Sequence, residues 1–184
     1  MSPYQAWPFL SDPSHPFLSA VWAVLIHGAV GVLAVAPILW RSRHRLIYGL
    51  VAFVGGFILD VDHFIAAASL NLHTIETLSG RPDTHSLVFV LALSAVTVAL
   101  TRSWLAAWGV FAVNLAHLLY DGAGGNEHIL YPITSVDGLP WLLCPLGTLV
   151  LLAASTALAR ATMRRSPSGP PQRELERQDA VAVS

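Results

Sequence analysis

Lysine is absent from this chain: its ten basic residues are all arginine, set against eleven Asp and Glu for a formal net charge of −1. That balance offers no basic face for a phosphate backbone, so no nucleic-acid partner is expected. Charged residues make up only 11% of the 184 positions, against about a quarter in soluble domains, which argues against a soluble globular domain. Cysteine is nearly missing as well. The single Cys144 lies inside an apolar run, leaving neither a disulfide framework nor a cysteine-based zinc site. The first 16 residues, MSPYQAWPFLSDPSHP, hold no basic residue. The apolar segment after them therefore lacks the positively charged start of a cleaved signal peptide and is read as a retained first span.

What is present is hydrophobic length. Hydrophobic residues fill 54% of the chain, and the mean hydropathy is +0.59. Five apolar stretches, 17–40, 46–70, 85–101, 104–120 and 139–159, approach the ~20 helical residues needed to cross a hydrocarbon core. Backbone groups inside lipid must be satisfied within the segment, so these are helices. The expectation is an all-α bundle of about five transmembrane helices. Residues 1–16 form an extracytoplasmic or interfacial segment and 17–159 the transmembrane domain. From residue 160 the chain, which ends MRRSPSGPPQRELERQDAVAVS, loses apolar periodicity and is expected to be a disordered cytoplasmic tail. The turn Thr101-Arg102-Ser103 predicts an antiparallel hairpin between the third and fourth spans.

Arginine sets the orientation. Arg41, Arg43, Arg45, Arg102, Arg160, Arg164 and Arg165 fall on one side, while Arg81 stands alone on the other beside Glu76, Asp83, Glu127 and Asp137. The N-terminus is expected outside and the C-terminus in the cytoplasm, in the plasma (inner) membrane.

Counted at 1.5 Å per residue from the cytoplasmic ends, Asp60, His117 and His27 lie ~21, ~20 and ~18 Å up their helices. Three spans thus bring ionisable groups to one level. In NLAHLLYDG, His117 and Asp121 are four apart and share a helical face, as do Asp60 and His63 at three apart. His85 opens the third span. An Asp inside a membrane costs ~2.5–3.5 kcal/mol unless compensated, and a cluster of His and Asp around a cation compensates several at once. The candidate ligands are His27, Asp60, His63, His85, His117 and Asp121. Imidazole with carboxylate suits a divalent cation, with Zn2+ favoured and Mn2+ or Fe2+ also admitted. Asp62, ~200° round the helix from Asp60, is expected to orient a ligand, accept a proton or bind a second ion rather than join the same shell.

The competing readings are structural. His27 also suits a hydrogen bond between helices, and Asp60, His63, His117 and Asp121 a buried ion-pair network. Asp83 and Thr84 read as N-capping residues, while His15, His44 and His73 read as solvated. Arg81 suits either a bidentate clamp on an anionic group or an interfacial residue reaching water. The glycines of GAGGNEH (122–128) allow a close backbone approach or only a turn.

Three elements in order carry a family resemblance: Asp60-Val61-Asp62-His63, Arg81-Pro82-Asp83-Thr84-His85-Ser86 and His117-Leu118-Leu119-Tyr120-Asp121, with His27 before them and Tyr131-Pro132 after. Over residues 20–135 they resemble the bacterial membrane-bound metal-dependent hydrolase family, the YdjM-like inner-membrane proteins. The family often has a His before the Arg of the second element, where this chain has Gly80. His73 and His128 are the nearest substitutes. The resemblance implies a metal-dependent hydrolase. The residues themselves suggest Asp62 and Arg81 in catalytic roles, and a site just under the outer headgroups favours a lipid or lipid-linked phosphoester or ester as substrate. The partners expected are therefore membrane lipids. The competing functions are a transporter subunit, or a non-enzymatic membrane protein with a structural metal. A conduit should place ionisable residues through both halves of the membrane, and the inner halves of the five stretches hold none.

Overall fold

The computed structural model describes residues 16–71, 84–124, 129–131, 139–140 and 142–164. Helix α1 (Pro16–Leu39) opens on a proline, whose missing N–H costs nothing in the first turn, and carries Pro37 in its last turn. The turn after it is closed by Trp40 N–H to Ala36 O at 2.9 Å and Ser42 N–H to Leu39 O at 2.9 Å. Across this turn the Arg45 guanidinium lies 5.6 Å from the centre of the Trp40 ring.

Helix α2 (Arg45–Phe57) passes through one 3₁₀ turn, Ile58–Asp60, into the short α3 (Val61–Ala66). Helix α4 (Leu87–Thr101) starts at Ser86, whose side chain accepts a hydrogen bond from Phe89 N–H. It stops where Arg102 turns left-handed at φ 54° and returns its N–H to Val98 O at 2.7 Å. Ser103 Oγ then accepts from Ala106 N–H at 3.1 Å and begins α5 (Trp104–Gly124). Helix α6 (Leu143–Arg164) completes the bundle. The described residues contain no strand.

Helices α1 and α5 are central. The first packs on α2, α5 and α6, the second on α1, α2, α4 and α6. Their shared core is Ala34, Val35, Ala52, Ala112, Val113, Ala116 and Leu151. Four of these seven are alanine, which lets backbones close on one another where no hydrophobic effect drives helices together in lipid. Closest of all is the crossing of α1 and α2. A Cβ on Gly56 would collide with the backbone carbonyl of His27, and one on Gly28 with the Phe53 ring. Deeper in the bundle, Trp108 Nε1 donates to Ser155 Oγ at 2.9 Å, and Ser155 donates to Ala34 O at 2.7 Å, joining α5, α6 and α1. The outward face of α2 is apolar, with Leu46, Ile47, Leu50, Val51 and Val54 exposed. That is a surface for hydrocarbon rather than water.

The all-α membrane bundle read from the sequence is the architecture found, with differences in extent. Phe17–Leu39, Arg45–Ala66 and Leu143–Thr162 are long and apolar enough to span. The third expected span is shorter than predicted, because Ser86 caps α4 and leaves it 15 residues. The fourth is longer, because α5 runs on through Asp121 to Gly124. The second ends at Ala66 rather than residue 70 and is not one uniform helix. The helix expected to stop at 159 continues to Arg164. The N-terminal segment through residue 15 and the tail from 165 lie outside the described residues.

Candidate metal centre

Four segments deliver the polar side chains to one end of the bundle. Helix α1 supplies His27, the α2–α3 junction Asp60, Asp62 and His63, the turn before α4 His85, and α5 both His117 and Asp121. All six expected ligands converge. The donor atoms of His27, Asp60, His117 and Asp121 lie within 4.8 Å of one another, as do those of Asp60, His63 and His85. The four-residue alignment on α5 follows from the i,i+4 spacing, with His117 Nε2 3.0 Å from Asp121 Oδ2.

The orientation of the rings is the decisive feature. His117 Nδ1 donates to the backbone carbonyl of Gly56 at 2.6 Å. A carbonyl can only accept, so this ring carries a proton on Nδ1, and in the neutral imidazole Nε2 is then the lone-pair nitrogen. His85 Nδ1 lies 3.1 Å from Asp62 Oδ2, and His27 Nδ1 lies 2.9 Å from Asp60 Oδ2. Three imidazoles from three segments thus commit Nδ1 to an acceptor and turn Nε2 inward. The inward atoms crowd together. His117 Nε2 is 3.3 Å from His85 Nε2 and 3.6 Å from Asp60 Oδ1. His85 Nε2 is 3.7 Å from Asp60 Oδ1 and 3.8 Å from Asp121 Oδ2. His27 Nε2 is 2.9 Å from Asp121 Oδ1. Ligands held ~2.1 Å from one tetrahedral ion stand ~3.4 Å apart, which is the scale of these separations. Imidazole nitrogens and carboxylate oxygens gathered this closely could hold a metal ion. The outward Nδ1 contacts are what fixes the tautomer of a ligating histidine.

Asp62 occupies the position expected of it, outside the ring of inward donors. Its Oδ2 receives both His85 Nδ1–H and the Thr84 hydroxyl. His85 sits between Asp60 and Asp62 with one nitrogen toward each. Thr84 is therefore not the cap of α4; Ser86 is. His44 is exposed in its turn, as expected. Arg81, together with His73, Glu76, Gly80, Asp83 and His128, lies outside the described residues, as does most of the Gly-rich loop.

Sequence reasoning missed the Gly56 carbonyl, Thr84 and Tyr120, whose ring lies edge-on to His27 at 5.1 Å between centroids. Only the Gly55-Gly56 pair signalled anything, as a place where another backbone draws close. Burial of the centre is nearly complete. The side chains of His85, His117 and Asp121 are 1%, 0% and 2% exposed, and Asp60, at 24%, is the most accessible carboxylate.

The model of the YdjM inner membrane protein family matches residues 23–171, which hold every residue of the cluster. Among curated proteins, Transmembrane protein 267 of Mus musculus is 31% identical over 115 residues, 58% of this chain and 53% of its own length. Transmembrane protein 267 of Danio rerio is 27% identical over 125 residues, 62% of this chain and 55% of its own. The chain thus spans about half the length of the curated relatives it matches. No solved structure matches it.

Proposed function

The chain belongs to the YdjM inner membrane protein family and is an integral inner-membrane protein, and from that premise we propose that it is a metal-dependent hydrolase of a lipid or lipid-linked phosphoester or ester. One observation carries the reading: three buried histidines from three segments hold Nδ1 outward on acceptors and Nε2 inward on shared carboxylates.

His27, Asp60, His63, His85, His117 and Asp121 are the residues that would hold a divalent cation, Zn2+ before Mn2+ or Fe2+. When bound, such a cation lowers the pKa of its water toward neutrality and polarises a phosphoryl or acyl oxygen. Asp62 holds the His85 ring with Nε2 turned toward Asp60, Asp121 and His117, and Thr84 holds Asp62. Asp62 Oδ1 is buried without a hydrogen-bond partner, which leaves it able to take a proton. The accessible edge of the cluster is Asp60, so substrate and water approach there. Arg81, four residues before His85 in the sequence, is assigned to clamp the anionic group of the substrate. By the arginine distribution the cluster lies under the outer headgroups, within reach of a lipid ester bond.

The test is metal analysis of detergent-purified protein, followed by a screen of lipid phosphoesters and esters for hydrolysis. Bound Zn, Mn or Fe together with metal-dependent cleavage supports the reading. A folded wild type that takes up no metal after reloading sinks it.

A further inference from the structure

The six donors fall into two overlapping sets. Among the described residues, His27, Asp60, His117 and Asp121 form one mutually close set, and Asp60, His63 and His85 form another. Asp60 belongs to both, and His85 Nε2 also stands 3.3, 3.7 and 3.8 Å from donors of His117, Asp60 and Asp121. The two oxygens of Asp60 already face different neighbours, Oδ2 toward His27 Nδ1 at 2.9 Å and Oδ1 toward the Nε2 atoms of His85 and His117 at 3.7 and 3.6 Å.

We infer that the centre holds two divalent cations bridged by the Asp60 carboxylate, and that the two sites are unequal. This rests on the metal-dependent reading above and adds to it the number of ions and the part each site plays. The inner site is supplied by His27, His117, Asp121 and Asp60: four residues, three of them with side chains no more than 4% exposed. Four protein ligands close a tetrahedral site, the pattern of a structural ion. The outer site is supplied by His63, His85 and Asp60, two imidazoles and one carboxylate. Three protein ligands leave a position for water or substrate, the pattern of a catalytic ion. Within this set His85 is braced from outside, since Asp62 receives His85 Nδ1–H at 3.1 Å.

The contact between His85 and His117 follows from the same arrangement. The Nε2 atoms of the two rings stand 3.3 Å apart, one ring from each set.

The experiment is metal counting on the full chain in detergent, with Zn2+ loaded to saturation and excess removed, alongside spin resonance of Mn2+-loaded protein. About two ions per chain are expected in wild type and about one in His63→Ala, and the Mn2+ signal should be that of an exchange-coupled pair. Asp60→Asn, which strips the bridge, is expected to lose the coupled signal. A wild type that saturates at one ion, with an uncoupled Mn2+ spectrum, overturns the two-ion inference and leaves the metal-dependent reading standing. A folded wild type that binds none overturns both. Should His63→Ala not elute as a folded species, the wild-type spectrum decides alone, because coupling requires two neighbouring ions.

Discussion

His85 and His117 present Nε2 to Nε2 at 3.3 Å, each with its Nδ1 against an oxygen supplied by another segment. The pair is held by Asp62 on one side and the Gly56 carbonyl on the other, and the variants that follow separate ligands from the groups that aim them.

Asp62→Asn and Thr84→Val leave every inward donor in place but loosen the brace on His85. Each is expected to weaken metal binding by about 10–100-fold without abolishing it. Competition against a chelator of known affinity measures this, and an unchanged affinity in Asp62→Asn would remove Asp62 from the site.

His117→Ala and Asp121→Asn remove inward donors from α5. Both should strip metal to background on purification while the helical content of the protein, followed by circular dichroism, persists. Retention of wild-type metal content in either variant contradicts their assignment as ligands.

Two glycines on α2 should behave oppositely. At Gly56 a methyl group meets the backbone of α1, whereas at Gly49 nothing lies within 4 Å. Gly56→Ala is expected to force the helices apart, cost about 1–3 kcal/mol as overpacking does, and lower metal content with it. Gly49→Ala should be neutral or stabilise by up to about 1 kcal/mol through helix propensity. Thermal unfolding in detergent, read beside metal content, tests the contrast.

Ser155→Ala breaks the relay from Trp108 to Ala34, well away from the cluster. A loss of about 0.6–1.7 kcal/mol is expected, the range for hydrogen bonds between membrane helices, with metal content unchanged. A loss of metal in this variant would show that the relay reaches the centre.

Arg81→Ala tests the substrate side. If the guanidinium clamps an anionic group, kcat/KM should fall about 10–100-fold, the equivalent of one charged hydrogen bond of ~1.5–3 kcal/mol, with metal content retained. Equal activity of the two proteins would return Arg81 to the role of an interfacial anchor.

Much was legible in the residues themselves. The scarcity of charge and the length of the apolar stretches dictated a helical membrane protein. An ionisable residue in such a stretch needs a partner, so Asp60, His117 and His27 marked the site before any fold was known. The spacing of His117 and Asp121 put both on one face, because α-helical geometry is local. Local geometry also explains where the reading fell short. The 3₁₀ turn at Ile58–Asp60 carries no proline to announce it, and Thr84 has the composition of a cap while Ser86 does the capping.

By itself, then, the sequence determined the class of structure and the residues that meet, because hydrophobic length and helical period are properties of one segment at a time. Tertiary structure decided how they meet. Which nitrogen of each histidine faces inward depends on an acceptor contributed by another segment: Asp60 for His27, Asp62 for His85 and the bare carbonyl of Gly56 for His117. A backbone carbonyl is the same atom at every position in a chain. Only the close crossing of α1 and α2, and the seating of α5 against α2, selects Gly56 to hold the ring.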